Sequence, residues 1–158
     1  DLKASEISVR LGATWLPPET IEEFMFELFS TPRYCQWNIH VHYAQYTGEW
    51  NVEGKSYDRS NVKAYNTYGT GRVNGYKIME ETLNLRDVRI FDYIEDGNGM
   101  KTALLNKKET AIAQGKQELI KQAFADWIWS DPERREQLTK LYNEKFNSIR
   151  PASMTAAT

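Results

Sequence analysis

A chain of 158 residues with 41% apolar and 13% aromatic side chains is the size of one ordinary domain and can fill a core, which excludes disordered and collagen-like classes. Twenty Lys and Arg against 22 Asp and Glu leave a net charge of −2, so the total charge points to neither nucleic acid nor membrane. One cysteine, Cys35, excludes an intrachain disulfide framework and a multi-cysteine zinc site, and the mean hydropathy of −0.66 with no long apolar run excludes a membrane span.

The N-terminus lacks the basic-then-apolar pattern of a signal peptide, so the expected setting is soluble and cytoplasmic. The start at Asp1 without a methionine and the small, polar end over 152–158 read as the cuts of a piece from something longer. Charge is uneven: two bases face six acids in residues 1–30, eight face nine in 31–100, and ten face seven in 101–150. No repeat, low-complexity tract or linker divides the chain before Ile149, which predicts one domain over 1–150 and a flexible tail over 151–158.

In chain order, Leu16-Pro17-Pro18-Glu19 leads into Ile21, Phe24, Met25, Leu28 and Phe29, a helical stripe behind prolines suited to a helix start, and Thr31-Pro32 ends it. From Trp37 the period changes to two: Trp37, Ile39, Val41 and Tyr43 share one strand face, Asn38, His40 and His42 the other. A turn at Thr47-Gly48 leads to a partner strand with Trp50 and Val52 on one face. Residues 54–74 form a long polar connection, functional or mobile by its length. A short helix over 75–83, a strand over 88–94, a tight Asp96-Gly97-Asn98-Gly99 turn and a strand over 101–105 follow. Ile112, Leu119, Ile120, Ala123, Phe124, Trp127 and Ile128 then line a long helix interrupted only by Gly115. Ser130 or Asp131 caps a last helix with Pro132 in its first turn and Leu138, Leu141, Tyr142, Phe146 and Ile149 as its stripe. The expected fold class is α+β, with antiparallel hairpins forming a small sheet packed against an N-terminal helix and two C-terminal helices.

Few residues carry a catalytic pattern. Gly48 to Ser56 ends in Gly-Lys-Ser but has five residues between its glycines where a phosphate-cradling P-loop needs four, and Trp50 and Val52 belong to a strand. Tyr68-Gly69-Thr70-Gly71-Arg72-Val73-Asn74-Gly75 reads either as a structural loop or as a turn whose amides and Arg72 hold a phosphate. His40 and His42 point the same way without a third metal ligand, Cys35 has no identifiable base, and Asp92, Glu95 and Asp96 read as solvation beside a turn. Tyr43, Tyr46, Tyr57, Tyr65 and Tyr68 alternate with Lys55, Arg59, Lys63 and Arg72, as single-strand binders alternate rings with cations, or as tyrosines over a half-buried sheet do. Asn143, Asn147 and Arg150 with Lys107, Lys108, Lys140 and Lys145 are further phosphate candidates beside the reading of a solvated helix face.

Gly48-Glu49-Trp50, Lys63-Ala64-Tyr65, the run from Tyr68 to Ile78, Leu83-Asn84-Leu85 and above all Tyr142-Asn143-Glu144-Lys145-Phe146-Asn147 carry a resemblance. The sequence resembles, from Ser5 to Pro151, the region joining the N6-adenine DNA methyltransferase and Snf-type helicase modules of large proteins of bacterial mobile elements, phages and plasmids. The resemblance implies a parent that uses S-adenosylmethionine, ATP and magnesium, with that machinery outside this piece. In agreement, Leu16-Pro17-Pro18-Glu19 lacks the polar and aromatic flanks of an adenine-gripping motif, and no P-loop or Asp-Glu-x-His box occurs. The expected role is a non-catalytic connector that contacts DNA and orients the two modules, with Lys63 and Arg72 on phosphates, Tyr65 and Tyr68 stacking, and Asn143, Asn147 and Arg150 nearby. The alternatives are a module docking on the helicase through the 112–128 and 138–149 helix faces, and a stand-alone nuclease-like enzyme.

Overall fold

The computed structural model describes residues 1–147, in which helices combine with two antiparallel two-stranded sheets into an α+β fold. Ile149, Arg150 and the tail over 151–158 lie outside the described residues, as does the side chain of Asn147. After a short turn at Ala4–Glu6 come α1 (Pro18–Phe29), α2 (Arg33–Gln36), β1 (His40–Ala44), β2 (Glu49–Glu53), a π-helical turn (Lys63–Thr67), α3 (Gly75–Leu83), β3 (Phe91–Glu95), β4 (Lys101–Leu105), α4 (Lys107–Ile128) and α5 (Pro132–Asn147).

Helix α1 buries Ile21, Phe24, Met25 and Phe29 as its spacing requires, with Leu28 half-buried. Phe24 packs edge-on against Phe124 and at a tilt against Trp127 of α4, at centroid distances of 5.1 and 5.3 Å. Pro32 does more than end α1: it starts the single turn of α2, and Trp37 caps that turn with helical dihedrals. Trp37 is therefore 81% exposed, and the buried strand face consists of Ile39 and Val41 with the half-buried Tyr43, without Trp37.

The β1–β2 hairpin pairs Val41 with Val52 and Tyr43 with Trp50. Its edges are closed by helix side chains. Glu22 of α1 accepts the Val41 N–H at 3.0 Å, Glu80 of α3 accepts the Val52 N–H at 2.9 Å, and Asn84 both accepts from the Trp50 N–H and donates to its carbonyl. Side chains occupy the positions a third strand would need, so the two hairpins stay separate sheets rather than merging into one.

The expected strand over 88–94 begins only at Phe91. The backbone before it is paired with α4 side chains: Gln117 bonds the Val88 N–H and Arg86 carbonyl, Gln114 the Val88 carbonyl, and Thr110 the Ile90 N–H and carbonyl. This side-chain ladder turns Thr110 and Gln117 into the core beside Ala113, Ile120, Phe124 and Ile128. Ile112 and Leu119, expected on that face, are displaced to the surface, while Gly115 sits in an unbroken helix. The β3–β4 hairpin turns where expected, with Asp96 accepting the Asn98 and Met100 N–H groups, and β4 is exposed throughout.

Asp131 caps α5 through the Arg134 N–H at 2.8 Å. Leu138 is buried, Tyr142 packs edge-on against Trp15 at 5.1 Å, and Asn143 closes a two-bond clasp on the backbone of Leu2, accepting its N–H at 2.8 Å and donating to its carbonyl at 2.9 Å.

The end of α3 carries an unusual residue. The Arg86 N–H reaches the Glu81 carbonyl and the Leu85 N–H the Thr82 carbonyl, a Schellman closure that places Leu85 at φ +60, where glycine is the ordinary choice. Leu85→Gly should raise the urea midpoint, by about 0.5–1 kcal/mol in unfolding free energy, the left-handed cost of leucine outweighing glycine's entropy. A lowered midpoint would mean that the packing of Leu85 over Gly12 outweighs that strain.

Candidate nucleic-acid interface

The polar connection over 54–74 is folded around a buried carboxylate. Asp58, 3% exposed, accepts from the Tyr76 hydroxyl at 2.8 Å and the Asn61 amide at 2.6 Å, with the Cys35 thiol at 3.7 Å. The Tyr76 and Thr31 hydroxyls share a bond of 2.7 Å, and Asn61 also donates to the Phe29 carbonyl. Burial, with the Asp58 charge next, pushes the Cys35 thiol above its ordinary pKa, so it is held protonated and acts as packing. Burial likewise drives the Tyr76 phenol far above the usual range. This cluster fixes the connection against the end of α1 and the start of α3.

From that anchor the π-helical turn faces outward. Lys63 is exposed and its ammonium donates to the Ser30 hydroxyl at 2.9 Å. Tyr65 and Tyr68 are half-buried against the core, with the Tyr68 ring 5.8 Å from Phe29, so neither offers two free faces to a base. Arg72 binds Asp92 at 2.9 Å and donates to the Phe91 carbonyl. Asp92 in turn accepts from Asn106, which caps α4 immediately before Lys107 and Lys108. A little over two turns further along α4, Lys116 donates to the carbonyls of Asn66 and Thr67 at 2.9 and 3.2 Å.

These bonds bring Lys63, Arg72, Lys107, Lys108 and Lys116 to one region formed by the 63–72 segment and the first half of α4. The acids among them are Asp92, engaged by Arg72 and Asn106, and Glu109 and Glu118 of α4. Sequence reasoning missed Lys116 as a member, because its partners lie about fifty residues away and nothing local signals the contact. It also placed Asn143 at this interface; that side chain is instead buried in the Leu2 clasp, at the α5 end of the molecule. Lys140 and Lys145 lie on α5 with it.

The phosphate-loop readings fare differently from the basic region. Gly48 to Ser56 is the β2 strand and the turn after it, with Gly54 at φ +77. Lys55, Ser56, Arg72, Asn74 and Lys77 do line a hollow of about 260 Å³ at the start of α3. Its lysines are already paired with acids of α3: Lys55 with Glu80 at 2.7 Å, and Lys77 with Glu80 and Glu81. Asn74 caps the helix itself, and Gly75 is required because a Cβ there would lie 2.7 Å from the Phe29 ring. The glycine-rich loop thus serves helix packing.

His40 and His42 use different acids, His40 with Glu22 at 3.3 Å and His42 with Glu53 at 2.9 Å. A bond to the Trp37 carbonyl, aided by Glu22, holds the His40 imidazole above its ordinary pKa. Among the described residues no three His, Cys, Asp or Glu side chains gather as metal ligands, and no helix is long and apolar enough to cross a membrane. A family model described as a domain of unknown function (DUF8437) matches residues 10–148. No curated protein and no solved structure matches the chain.

Proposed function

We propose, for a chain that belongs to the DUF8437 family along nearly all its described length, the role of a non-catalytic connector that contacts DNA in the cytoplasm. The context is that implied by the resemblance: a mobile-element protein whose flanking methyltransferase and helicase modules carry the S-adenosylmethionine, ATP and magnesium chemistry, with this domain orienting them. The observation that supports DNA contact is the gathering of Lys63, Arg72, Lys107, Lys108 and Lys116 by the Lys116–Asn66/Thr67 and Arg72–Asp92–Asn106 bonds. The half-buried tyrosines favour backbone contact over base stacking, so recognition rests on phosphate charge and is tolerant of sequence.

Fluorescence anisotropy with a labelled duplex at low salt tests this. Binding should fall with log salt by about 0.9 in slope for each phosphate engaged, and Lys63→Glu with Lys107→Glu and Lys108→Glu should flatten that slope by about 2 to 3. The same reversal at Lys140 and Lys145 on α5 should leave affinity within about twofold. Absence of binding at low salt, or equal loss from both sets of reversals, would remove the DNA role.

The β3–β4 hairpin favours a second reading, a protein-docking module. Tyr93, Ile94, Met100 and Leu104 are each more than half exposed on it. The docking faces expected on the last two helices are largely spent inside, through Ile120, Phe124, Ile128 and Leu138. A nuclease-like enzyme would need carboxylates or histidines converging on one site, and no observation favours it.

A further inference from the structure

On the far side of the α3 terminus, residues 9–11, the end of α3 and the middle of α4 wall a hollow of about 360 Å³, within the range of small-ligand sites. Its floor is apolar, with Leu11 and Phe124 buried and Leu85 at the mouth. Three cations, Arg10, Arg86 and Lys121, border it against a single acid, Asp87.

The three cations are not equivalent. Arg86 is engaged by Glu81 at 2.6 Å and Lys121 by Glu118 at 3.3 Å. Among the described residues no side chain pairs with Arg10, so its charge is unspent beside an apolar surface. Such a surface rejects a free inorganic ion, which would lose hydration over hydrocarbon, while the unpaired Arg10 guanidinium favours a guest that carries an anionic group.

The backbone on both sides of the hollow is special. Gly12, at φ +98, lets the 9–12 segment lie against the end of α3, where an added Cβ would stand 2.6 Å from the Leu83 carbonyl. Leu85 holds its left-handed conformation while its side chain remains 62% exposed, so the protein's own packing leaves much of that leucine uncovered. Strain kept at the mouth of a cavity, with an uncovered apolar side chain as its result, is suited to a guest that covers the leucine.

We propose that this hollow binds a small amphipathic anion, an organic carboxylate, sulfonate or phosphate whose apolar body lies on Leu11, Leu85 and Phe124 and whose charge meets Arg10. The site shares no residue with the DNA-contacting region, so the two stand or fall separately.

The dye 8-anilinonaphthalene-1-sulfonate provides a direct probe of the intact chain. Its fluorescence should saturate at one site, and octanoate should displace it at least about tenfold more effectively than octanol or inorganic phosphate. Arg10→Glu should weaken the dye about tenfold or more. Ala125→Trp, at an exposed lining position, should fill the hollow and abolish binding, with circular dichroism and thermal midpoint retained in both variants. A paired Tyr93→Ser and Ile94→Ser change in the hairpin should leave the dye unaffected. Equal displacement by octanol and octanoate, displacement by phosphate as strong as by octanoate, or full binding in the Arg10 variant would overturn the proposal. So would no saturable binding, or loss of the dye with the hairpin change.

Discussion

Phe24→Ala should lower the unfolding free energy by about 4 kcal/mol, the upper part of the range for emptying a buried aromatic site. Phe24 is 1% exposed and lies where α1 meets α4, held between Phe124 and Trp127. The neighbours cannot close over the vacancy without giving up their own contacts: Phe124 is fully in the core, and Trp127 is held by Glu27 through its indole N–H at 2.9 Å and by Arg134 over its ring at 3.5 Å. A domain of this size has only about 5–15 kcal/mol in total, so the variant should unfold at a much lower urea concentration. A loss under about 1 kcal/mol would mean that the α1–α4 contact is peripheral to the core.

The second large effect is expected at Glu80, which is buried and receives Lys55 at 2.7 Å, Lys77 at 3.1 Å and the Val52 N–H at 2.9 Å. Glu80→Ala should cost about 3 kcal/mol, because it orphans a strand N–H and leaves two ammonium groups without their shared partner. The partial exposure of both lysines keeps the figure at the lower end of the range for broken buried pairs. Burial alone would push the Glu80 carboxyl up, but the bonds from Lys55, Val52 and Lys77 outweigh it and hold the group below its ordinary value of 4.5. The native state then releases this proton more readily than the unfolded chain. The stabilisation is complete above the unfolded value and disappears as pH falls through the lower native one. Glu81 is shifted the same way: burial pushes it up, and Arg86 and Lys77 more than reverse that. Urea midpoints collected from neutral pH down through the carboxylate range should fall steeply below 4.5 in the parent chain and less steeply in Glu80→Gln. Identical acid limbs in the two proteins would remove Glu80 from this account.

Where signals are local, the sequence discloses the structure. Proline at the start of α1 and the Asp-Gly and Asn-Gly pairs act within a few residues, and α1, α3 and both hairpin turns appear at or near their expected positions. Trp37 was misplaced because Pro32, which ends one helix, equally begins another turn, and alternation cannot distinguish a capping residue from a strand residue. Ile112 and Leu119 were misplaced by a partner distant in sequence: the face of α4 is chosen by the backbone of residues 86–90, which draws in Thr110, Gln114 and Gln117 although they are polar. The basic region shows the same division. Lys63 and Arg72 stand out beside tyrosines and glycines, whereas Lys116 joins them through tertiary contacts alone, and the burial that restricts Tyr65 and Tyr68 depends on Phe29 and its surroundings.

The clasp between Asn143 and Leu2 ties the start of the chain to the last helix. Two hydrogen bonds hold positions 141 apart in sequence side by side, so the path into the domain and the path out of it pass through one place. Bodies joined at those two positions would be held as neighbours sharing a mount, and would not be kept apart by the length of a rod. The basic region and the exposed hairpin lie on elements other than those that form the clasp. On the connector reading proposed above, a pull between flanking modules would be borne in part by these two hydrogen bonds of one asparagine.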